Sequence, residues 1–314
     1  MKTKLTETKF QFALELGARL FSRIACLGAV ILICSSTSAQ NLFVSGTDGR
    51  GGAIFKFTWD GKQSIFASGL VRPLDVAFDS AGNLYVVDYN PLENVGNTAI
   101  YRIAPNGVQT VFAWGLSYPS YLAVDRAGNV FVADYEQGIV YQYKPTGSRA
   151  TVATGLYHPT AIACDSAGNL FVADNTIVKV YEGSIHEYRP DGSQATFAML
   201  NRTDRPADLA FDSLGNLFLA DLGGNIYKYT LNGALRPHTR TIFGSVPNSA
   251  QSLGFDSAGN LLVVDGGAVN STDTGAPNAI YKFTQQGARS TFASAQALGE
   301  RFACIAFQPM ACCQ

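Results

Sequence analysis

Two sets of side chains that could bind or react recur at fixed distances from an aspartate that is repeated along the chain. Seven residues before that position, the sequence has Arg72, Tyr118, His158, Arg205, Ser249 and, in a last partial copy, Arg301. Four residues before it, the sequence has Asp75, Tyr121, Ala161, Asp208, Ser252 and Cys304. Arginine binds carboxylate or phosphate through a planar fork, and tyrosine offers a flat stacking surface. The arginines, the tyrosines and His158 therefore predict a binding site for a small anionic or sugar-like ligand.

Asp75 and Asp208 are the carboxylates of the second set, and they stand three repeats apart. In a closed ring of six repeats they would face each other across the centre. There they could hold a divalent cation such as calcium, or they could pair with Arg72 and Arg205 beside them. His158 is the candidate proton carrier if the site is catalytic. The sequence has no G-x-S-x-G, H-E-x-x-H or paired C-x-x-C motif, so no complete catalytic group is visible.

The repeated aspartate belongs to a phrase that is typical of the blades of a propeller. The complete copies are AFDSAGNLYVVD at 77–88, AVDRAGNVFVAD at 123–134, ACDSAGNLFVAD at 163–174, AFDSLGNLFLAD at 210–221 and GFDSAGNLLVVD at 254–265. Their aspartates follow one another after 46, 40, 47 and 44 residues, the length of a four-stranded blade. Residues 41–44 repeat the second half of the phrase alone, and residues 305–308 the first half alone. The sequence therefore predicts an all-β protein, a six-bladed β-propeller of four-stranded antiparallel blades at 40–309, closed by a blade shared between the N- and C-termini.

The order of strands in a meander decides which connections share a face of the propeller. The turns between strands one and two and between strands three and four lie on one side. The loops between strands two and three and the links between blades lie on the other side. Function is carried by variable loops on a rigid frame, so we expect the site on this second side, at the mouth of the central channel. Loops 89–99 and 266–279 would bring Glu93 and Asp273 to the same mouth.

Two further sets of aspartates have a structural interpretation. The D-x-x-G-N turn after each first strand resembles a calcium loop, but it occurs in every copy. An Asp that caps backbone N–H groups before a Gly with positive φ explains this turn without a metal. We also interpret the aspartates that end the second strands as turn caps. These are Asp88, Asp134, Asp174, Asp221 and Asp265.

The ends of the chain and its composition indicate an exported protein. Residues 1–39 have a basic start, an apolar run and small residues before a cleavage site, as in a signal peptide, and 310–314 form a short tail. The 314 residues carry a net charge of −1, which argues against a nucleic-acid partner. No second long hydrophobic run follows, so we expect a monomer in the periplasm or outside the cell, without membrane attachment after cleavage. Cys304 could form a disulfide with Cys312 or Cys313.

The repeat P-x-x-[LIV]-A-x-D-x-x-G-N-[LV]-[FY]-V-[AV]-D resembles the NHL-repeat propellers and the related gluconolactonase/regucalcin-like superfamily over nearly all of residues 41–308. The resemblance implies the propeller fold. The lactonase branch also implies one divalent cation, usually calcium, held in the channel by Glu, Asn and Asp. The slots that hold Asn and Asp in that branch are here Leu74, Ser120, Thr160, Ala207, Gln251 and Ala303. That ligand set therefore does not carry over, and Asp75 and Asp208 lie one position later.

These observations favour an exported, non-catalytic binding module with a small-molecule, glycan or protein partner at the mouth of the channel. The alternative is a calcium-dependent lactonase or hydrolase of the gluconolactonase-like class, with Asp75 and Asp208 as metal ligands and His158 as proton carrier. A third interpretation is an interaction protein that uses the edges of the blades, and it predicts exposed apolar patches instead of a polar mouth.

Overall fold

The computed structural model describes residues 40–47, 51–59, 62–90, 98–175, 183–230, 239–266, 279–294 and 301–308. Within these ranges every regular element is a β-strand, and no helix is long and apolar enough to cross a membrane. The predicted signal peptide at 1–39, the predicted tail at 310–314 and the loop residues Glu93 and Asp273 lie outside the described residues.

The strands form six antiparallel four-stranded sheets, which we number as blades 1 to 6. Blade 1 begins with Leu42–Thr47 (β1), Gly52–Phe57 (β2) and Gln63–Leu70 (β3). Blade 2 has Pro73–Phe78 (β4), Leu84–Asp88 (β5), Thr98–Ile103 (β6) and Gln109–Leu116 (β7). Blade 3 has Pro119–Val124 (β8), Val130–Asp134 (β9), Ile139–Tyr143 (β10) and Arg149–Ala153 (β11). Blade 4 has Pro159–Cys164 (β12), Leu170–Asp174 (β13), Ser184–Tyr188 (β14) and Gln194–Met199 (β15).

Blade 5 has Pro206–Phe211 (β16), Leu217–Asp221 (β17), Asn225–Thr230 (β18) and Thr239–Ser245 (β19). Blade 6 has Ala250–Phe255 (β20), Leu261–Asp265 (β21), Ala279–Phe283 (β22) and Arg289–Ser294 (β23). The last strand, Arg301–Phe307 (β24), returns to blade 1.

Blade 1 is built from both ends of the propeller. β24 pairs antiparallel with β1, so that Leu42 lies opposite Phe307 and Val44 opposite Ile305. The order in this sheet is β24-β1-β2-β3, which makes the last strand of the chain the innermost strand of its blade. The innermost strands β24, β4, β8, β12, β16 and β20 each contact the next around a ring. The predicted all-β, six-bladed architecture is confirmed, and the ring closes through this shared blade.

The hydrophobic core lies between neighbouring blades. All residues of the second strands β5, β9, β13, β17 and β21 are buried, and apolar clusters join each blade to the next. Phe43 of blade 1 packs edge-to-face against Phe78 of blade 2, with ring centroids 5.0 Å apart. Equivalent pairs are Phe171 with Phe211 and Phe218 with Phe255. Each of these contacts is worth about 1 kcal/mol beyond burial, and each joins the second half of one copy of the phrase to a Phe in the first half of the next copy.

The repeated D-x-x-G-N turn is held by its own aspartate. In blade 2 the carboxylate of Asp79 accepts the backbone N–H of Asn83 at 2.8 Å and its side-chain amide at 2.7 Å. Gly82 between them has φ of +81°, a conformation that costs glycine little. The same contacts recur at Asp125, Asp165, Asp212 and Asp256. The capping interpretation of this turn is confirmed.

Candidate functional site

The aspartate that ends each second strand fixes the residue that begins the neighbouring innermost strand. The carboxylate of Asp88 accepts the backbone N–H of Val71 at 3.0 Å and that of Arg72 at 2.7 Å. The same contact joins Asp134 to Tyr118, Asp174 to His158, Asp221 to Arg205 and Asp265 to Ser249. These aspartates were predicted as turn caps, and their main role is to cap the link between blades. They therefore place the backbone of the first predicted set around the mouth of the channel.

A β-bulge in the innermost strands positions the second predicted set. The pairing of β4 with β5 skips one residue between Pro73 and Asp75, and that of β16 with β17 skips one between Pro206 and Asp208. The same irregularity precedes Tyr121, Ala161 and Ser252. A bulge redirects the side chains beside it. Asp75 and Asp208 consequently line the cavities on both sides of the ring, together with Cys304.

Four members of the second set form a continuous chain of polar contacts across blades 5, 6, 1 and 2. The thiol of Cys304 donates to Oδ1 of Asp75, with Sγ and Oδ1 2.7 Å apart. The same Sγ lies 3.2 Å from Oγ of Ser252, and that Oγ lies 2.9 Å from Oδ2 of Asp208. Ser252 and Cys304 are both buried. The two carboxyl groups, three blades apart in the sequence, are therefore connected through a hydroxyl and a thiol.

The same side chains satisfy backbone groups of the next blade. Oδ2 of Asp75 accepts the N–H of Leu122 at 2.7 Å, and Oδ2 of Asp208 accepts the N–H of Leu253 at 2.7 Å. Oγ of Ser252 accepts the N–H of Ile305 at 3.2 Å. These N–H groups lie on innermost strands that have no strand partner on the channel side, and a buried N–H without an acceptor is costly. This chain of polar side chains, which we call the polar ring, therefore also stabilises the backbone of the innermost strands.

The surroundings of Asp75 and Asp208 favour their neutral forms. Burial raises the pKa of Asp75 to about 6, although hydrogen bonds from Cys304, Leu122 and Val76 oppose the shift. Burial raises the pKa of Asp208 to about 8, and the negative charge of Asp75 adds to this effect. Burial also raises the pKa of the Cys304 thiol, which therefore stays protonated.

The two channel carboxyl groups differ in protonation at neutral pH. The Ser252 hydroxyl donates to Oδ2 of Asp208, and the Cys304 thiol donates to Oδ1 of Asp75. With a pKa of about 8 Asp208 keeps its proton at pH 7, whereas Asp75, with a pKa of about 6, is ionised. We therefore expect one carboxylic acid and one carboxylate in the channel at neutral pH.

A pocket of about 590 Å³ opens above this polar ring at the mouth of the channel. The predicted residues Arg72, Tyr118, Tyr121, Asp75 and Asp208 line it. Tyr135 and Glu136 also line it, and neither was identified from the sequence. The ligand-sized volume and the mixture of aromatic and charged groups are typical of a binding pocket.

One wall of the mouth is a row of aromatic rings from blades 2, 3 and 4. Tyr89 contacts Tyr118 at 4.8 Å between ring centroids, Tyr118 contacts Tyr135 at 6.0 Å, and Tyr135 contacts His158 at 4.6 Å. Tyr89 and Tyr135 each follow the aspartate that ends a second strand. No pattern in the repeat marks this position, because only two of the five complete copies have an aromatic residue there.

The remaining predicted residues are placed differently. His158 is half-buried at the end of the aromatic row, and its Nδ1 has no hydrogen-bond partner among the described residues. Arg205 is exposed and does not line the mouth pocket. Arg301 begins β24, but its side chain lies outside the described part of the chain.

The alternative pairing of arginines with the channel aspartates is not formed. Among the described residues, no ion pair joins Arg72 to Asp75 or Arg205 to Asp208, and both carboxyls bond instead to backbone N–H, hydroxyl and thiol groups. Cys304 is a free thiol, and Cys312 and Cys313 lie outside the described residues.

The donor set of the ring does not fit calcium. Calcium takes six to eight oxygen ligands, most of them carboxylate or carbonyl oxygens. Here Oδ1 of Asp75 accepts two bonds and Oδ2 one, while Oδ2 of Asp208 accepts two and Oδ1 one. Each carboxyl therefore has room for about one further bond. Across the described ranges, no group of three or more His, Cys, Asp or Glu side chains is arranged to hold a metal ion. Calcium at Asp75 and Asp208 stays a prediction, and we derive no step through it.

Known proteins that resemble this one are found among solved structures. No protein-family model and no curated protein matches the sequence. Solved structures do match, and a protein of unknown function from Bacteroides caccae superimposes with a TM-score of 0.61 at 16% identity, over 86% of this chain and 99% of that one. A gluconolactonase from Xanthomonas campestris has a TM-score of 0.56 at 20% identity, over 70% and 78%. Virginiamycin B lyase from Staphylococcus aureus has a TM-score of 0.54 at 14% identity, over 82% and 85%.

This chain shares their fold. The resemblance to gluconolactonase-like propellers that the repeat predicted is confirmed for the six-bladed architecture. At these identities the likeness extends to the fold alone, so the activity of this propeller must be argued from its own pocket.

Proposed function

We propose that this protein is an exported β-propeller that binds a small, hydroxyl-rich, sugar-like ligand in the mouth of its channel. The observation that carries the proposal is the pocket of about 590 Å³, with a tyrosine wall above a floor of two carboxyl groups. Sugars present flat apolar faces and many hydroxyl groups, and both features have a counterpart here. A signal peptide at 1–39 would direct the monomeric protein to the periplasm or outside the cell.

The tyrosine wall supports a ligand with a flat face. Tyr118 and Tyr135 line the pocket next to one another, with ring centroids 6.0 Å apart. Both side chains are half-buried, so each ring is held by the protein and still reaches the pocket. Aromatic rings fixed in this way lose little conformational entropy when a ligand stacks on them.

The floor supports hydroxyl groups better than an anion. Ionised Asp75 accepts a hydrogen bond from a ligand hydroxyl and repels a ligand carboxylate. Protonated Asp208 keeps room for one further bond, as described above. An acidic group of the ligand would therefore lie at the rim, where exposed Arg72 lines the pocket. This arrangement supports a neutral sugar or a sugar acid whose carboxylate points outward.

The proposal is tested by titrating the protein with neutral sugars, sugar acids and sugar lactones, followed by saturation-transfer NMR and calorimetry. Tyr135→Ala removes one stacking surface, and we expect it to weaken binding by about 10-fold, the effect of ~1.4 kcal/mol. Tyr157→Ala is the matched control, because Tyr157 is exposed and does not line this pocket.

Two results would contradict this function. One is that no member of the three ligand classes binds to the wild-type protein. The other is that Tyr135→Ala binds as tightly as Tyr157→Ala.

Hydrolysis of a lactone is a second candidate function. The likeness of the fold to the gluconolactonase from Xanthomonas campestris favours it, and Asp75, with a pKa of about 6, can accept a proton near neutral pH. In the predicted form of this function, Asp75 and Asp208 hold calcium and His158 carries the proton. His158 does not line the mouth pocket, so Asp75 is the better placed base.

Rates of lactone opening with calcium and with chelator separate the two functions. If Asp75 is the base, Asp75→Asn should abolish turnover and weaken ligand binding only by the loss of one charge-assisted hydrogen bond. Binding without any turnover, with or without calcium, assigns the pocket to recognition alone.

A further inference from the structure

A second polar groove lies between blades 3 and 4, on the face opposite the mouth. Its volume is about 570 Å³, and it is lined mainly by the turns between strands one and two and between strands three and four. These turns lie side by side within a blade: a Cβ atom added to Gly128 would lie 3.4 Å from Pro145, and one added to Gly168 would lie 3.8 Å from Pro190. Three cationic side chains line this groove, namely Arg126, Lys144 and Arg189.

The other blades show that the fold does not need these cations. The position of Arg126 is occupied by Ser80, Ser166, Ser213 and Ser257 in the other complete copies of the phrase. The position of Lys144 and Arg189 is occupied by Thr58, Ala104, Thr230 and Thr284 in the other blades. Because small neutral residues build the same turns, the basic residues of blades 3 and 4 are not required for the turn conformation.

The cations of blades 5 and 6 are used differently. In these blades a lysine on the third strand lies close to the repeated aspartate: Lys228 lies 3.9 Å from Asp212, and Lys282 lies 3.5 Å from Asp256. Blade 3 has Gln142 at this strand position. Its basic side chains therefore come from the turns, and they face the groove.

Two of the three cationic side chains in the groove have no ion-pair partner among the described residues. Within the described ranges, Arg126 and Lys144 form no ion pair, and both are exposed. Arg189 is paired with Glu187 through two hydrogen bonds of 3.0 Å. Asp125 is the carboxylate that lines the groove, and the backbone and amide of Asn129 occupy both of its oxygens.

We propose that the groove between blades 3 and 4 is a second binding site, for a small ligand that carries a carboxylate, sulfate or phosphate group. Arg126 and Lys144 bind the anionic group, since both can reach it without breaking an existing ion pair. The amide of Gln142 and the hydroxyl of Thr151, which also line the groove, receive the polar remainder of the ligand. The site does not depend on the proposed function of the mouth, because the two pockets share no residue.

The repeats themselves supply the test variants. Arg126→Ser and Lys144→Thr introduce the residues that other blades use at these positions, so the double variant should fold. Arg202→Ser is the matched control, because Arg202 is an exposed arginine outside the groove and its loss changes the net charge in the same direction. The probes are inorganic phosphate, inorganic sulfate and glucuronate, titrated into the full protein and followed by backbone amide NMR shifts.

We expect at least one probe to shift the amide signals of the turns at 125–129 and 144–148 in a saturable way. The double variant should weaken that binding at least about 10-fold, because it removes two charge-assisted contacts. Arg202→Ser should change it less than about twofold, and added NaCl should weaken binding in the wild-type protein.

Three results would overturn the site. The first is that none of the probes binds, and the second is that the double variant binds as tightly as the wild type. The third is that Arg202→Ser weakens binding as much as the double variant does. The last result would mean that the net charge of the protein, and not the groove, attracts the anion.

Discussion

Replacing Asp208 by Asn tests the electrostatics of the channel most directly. Asparagine has nearly the same shape, and its oxygen at the position of Oδ2 can accept the N–H of Leu253 and the hydroxyl of Ser252. Its amide nitrogen then replaces Oδ1, so the N–H of Leu209 loses its acceptor, at a cost that does not depend on pH. The variant cannot ionise. It therefore removes the cost of a negative charge that the protein surrounds and that Asp75 repels.

The direction of the effect follows from the raised pKa of Asp208. This carboxyl has a pKa of about 8 in the folded protein, against the ordinary aspartate value of 3.8, so it binds its proton more tightly when the chain is folded. Its contribution to the free energy of unfolding is therefore lost as the pH rises from about 4 to about 8. At ~1.4 kcal/mol for each pKa unit the upper limit is roughly 6 kcal/mol. Asp75 shares the repulsion, so the effect is smaller than this limit. We expect the free energy of unfolding of Asp208→Asn, relative to that of the wild type, to rise by about 2–4 kcal/mol from pH 5 to pH 9.

Urea denaturation at pH 5, 7 and 9, followed by circular dichroism, measures this gain. Asp191→Asn is the control, because Asp191 is exposed and far from the channel, and it should show no gain toward high pH. The reasoning is refuted if Asp208→Asn lowers the free energy of unfolding by the same amount at every pH. That result would mean that the folded protein needs Asp208 as a carboxylate.

The contacts described above lead to three other predictions. Asp134→Ala should lower the free energy of unfolding by about 2–4 kcal/mol, because it leaves the N–H groups of Ser117 and Tyr118 without their acceptor; a loss below about 0.5 kcal/mol in a denaturant titration would contradict this. Ending the chain before Arg301 should abolish the cooperative thermal transition, since β1 loses β24, and a sharp transition would show that the shared blade is dispensable. Calcium and chelator should each shift the melting temperature by less than about 1 °C, because the two carboxyls offer too few free positions; a saturable rise that Asp75→Asn removes would instead support calcium in the channel.

The architecture could be predicted because every blade repeats the same local pattern. A strand, a D-x-x-G-N turn and a second strand that ends in Asp occur in each complete copy. The two partial copies at the ends can complete one blade by pairing with each other, and β1 pairs with β24 in this way. A ring made of local units has few alternative topologies, so spacing alone was sufficient.

The site was predicted less completely, because it depends on where side chains turn within a repeat. The fixed offset identified Asp75 and Asp208, and ring closure brings Cys304 and Ser252 between them. The sequence left open the alternative that Arg72 pairs with Asp75, which is three residues away. Because of the bulge after Pro73, the side chains of Arg72 and Asp75 point in different directions, so that Arg72 lies at the rim of the pocket and Asp75 in the polar ring. No offset in the sequence predicts a bulge.

The aromatic row shows a second limit of the sequence. The residue after the second-strand aspartate is Tyr89, Tyr135, Asn175, Leu222 or Gly266, so the position has no pattern that marks it as functional. The row exists because three consecutive blades each contribute one or two rings to one sector of the mouth. This surface forms because residues of neighbouring blades lie side by side, and not because of a periodic pattern along the chain.

The closing of blade 1 by β24 also sets the order of events while the chain is being made. The side-chain amide of Gln40 donates to the carbonyl of Gln308 at 2.8 Å, although 268 positions separate the two residues. A ribosome delivers the N-terminal end first, so β1 to β3 must wait with an unpaired edge until five complete blades have been synthesised. Contacts between such distant residues form slowly. The ring therefore closes only when the last strand has been made. A chain that ends earlier keeps an open strand edge, which proteases and chaperones can recognise.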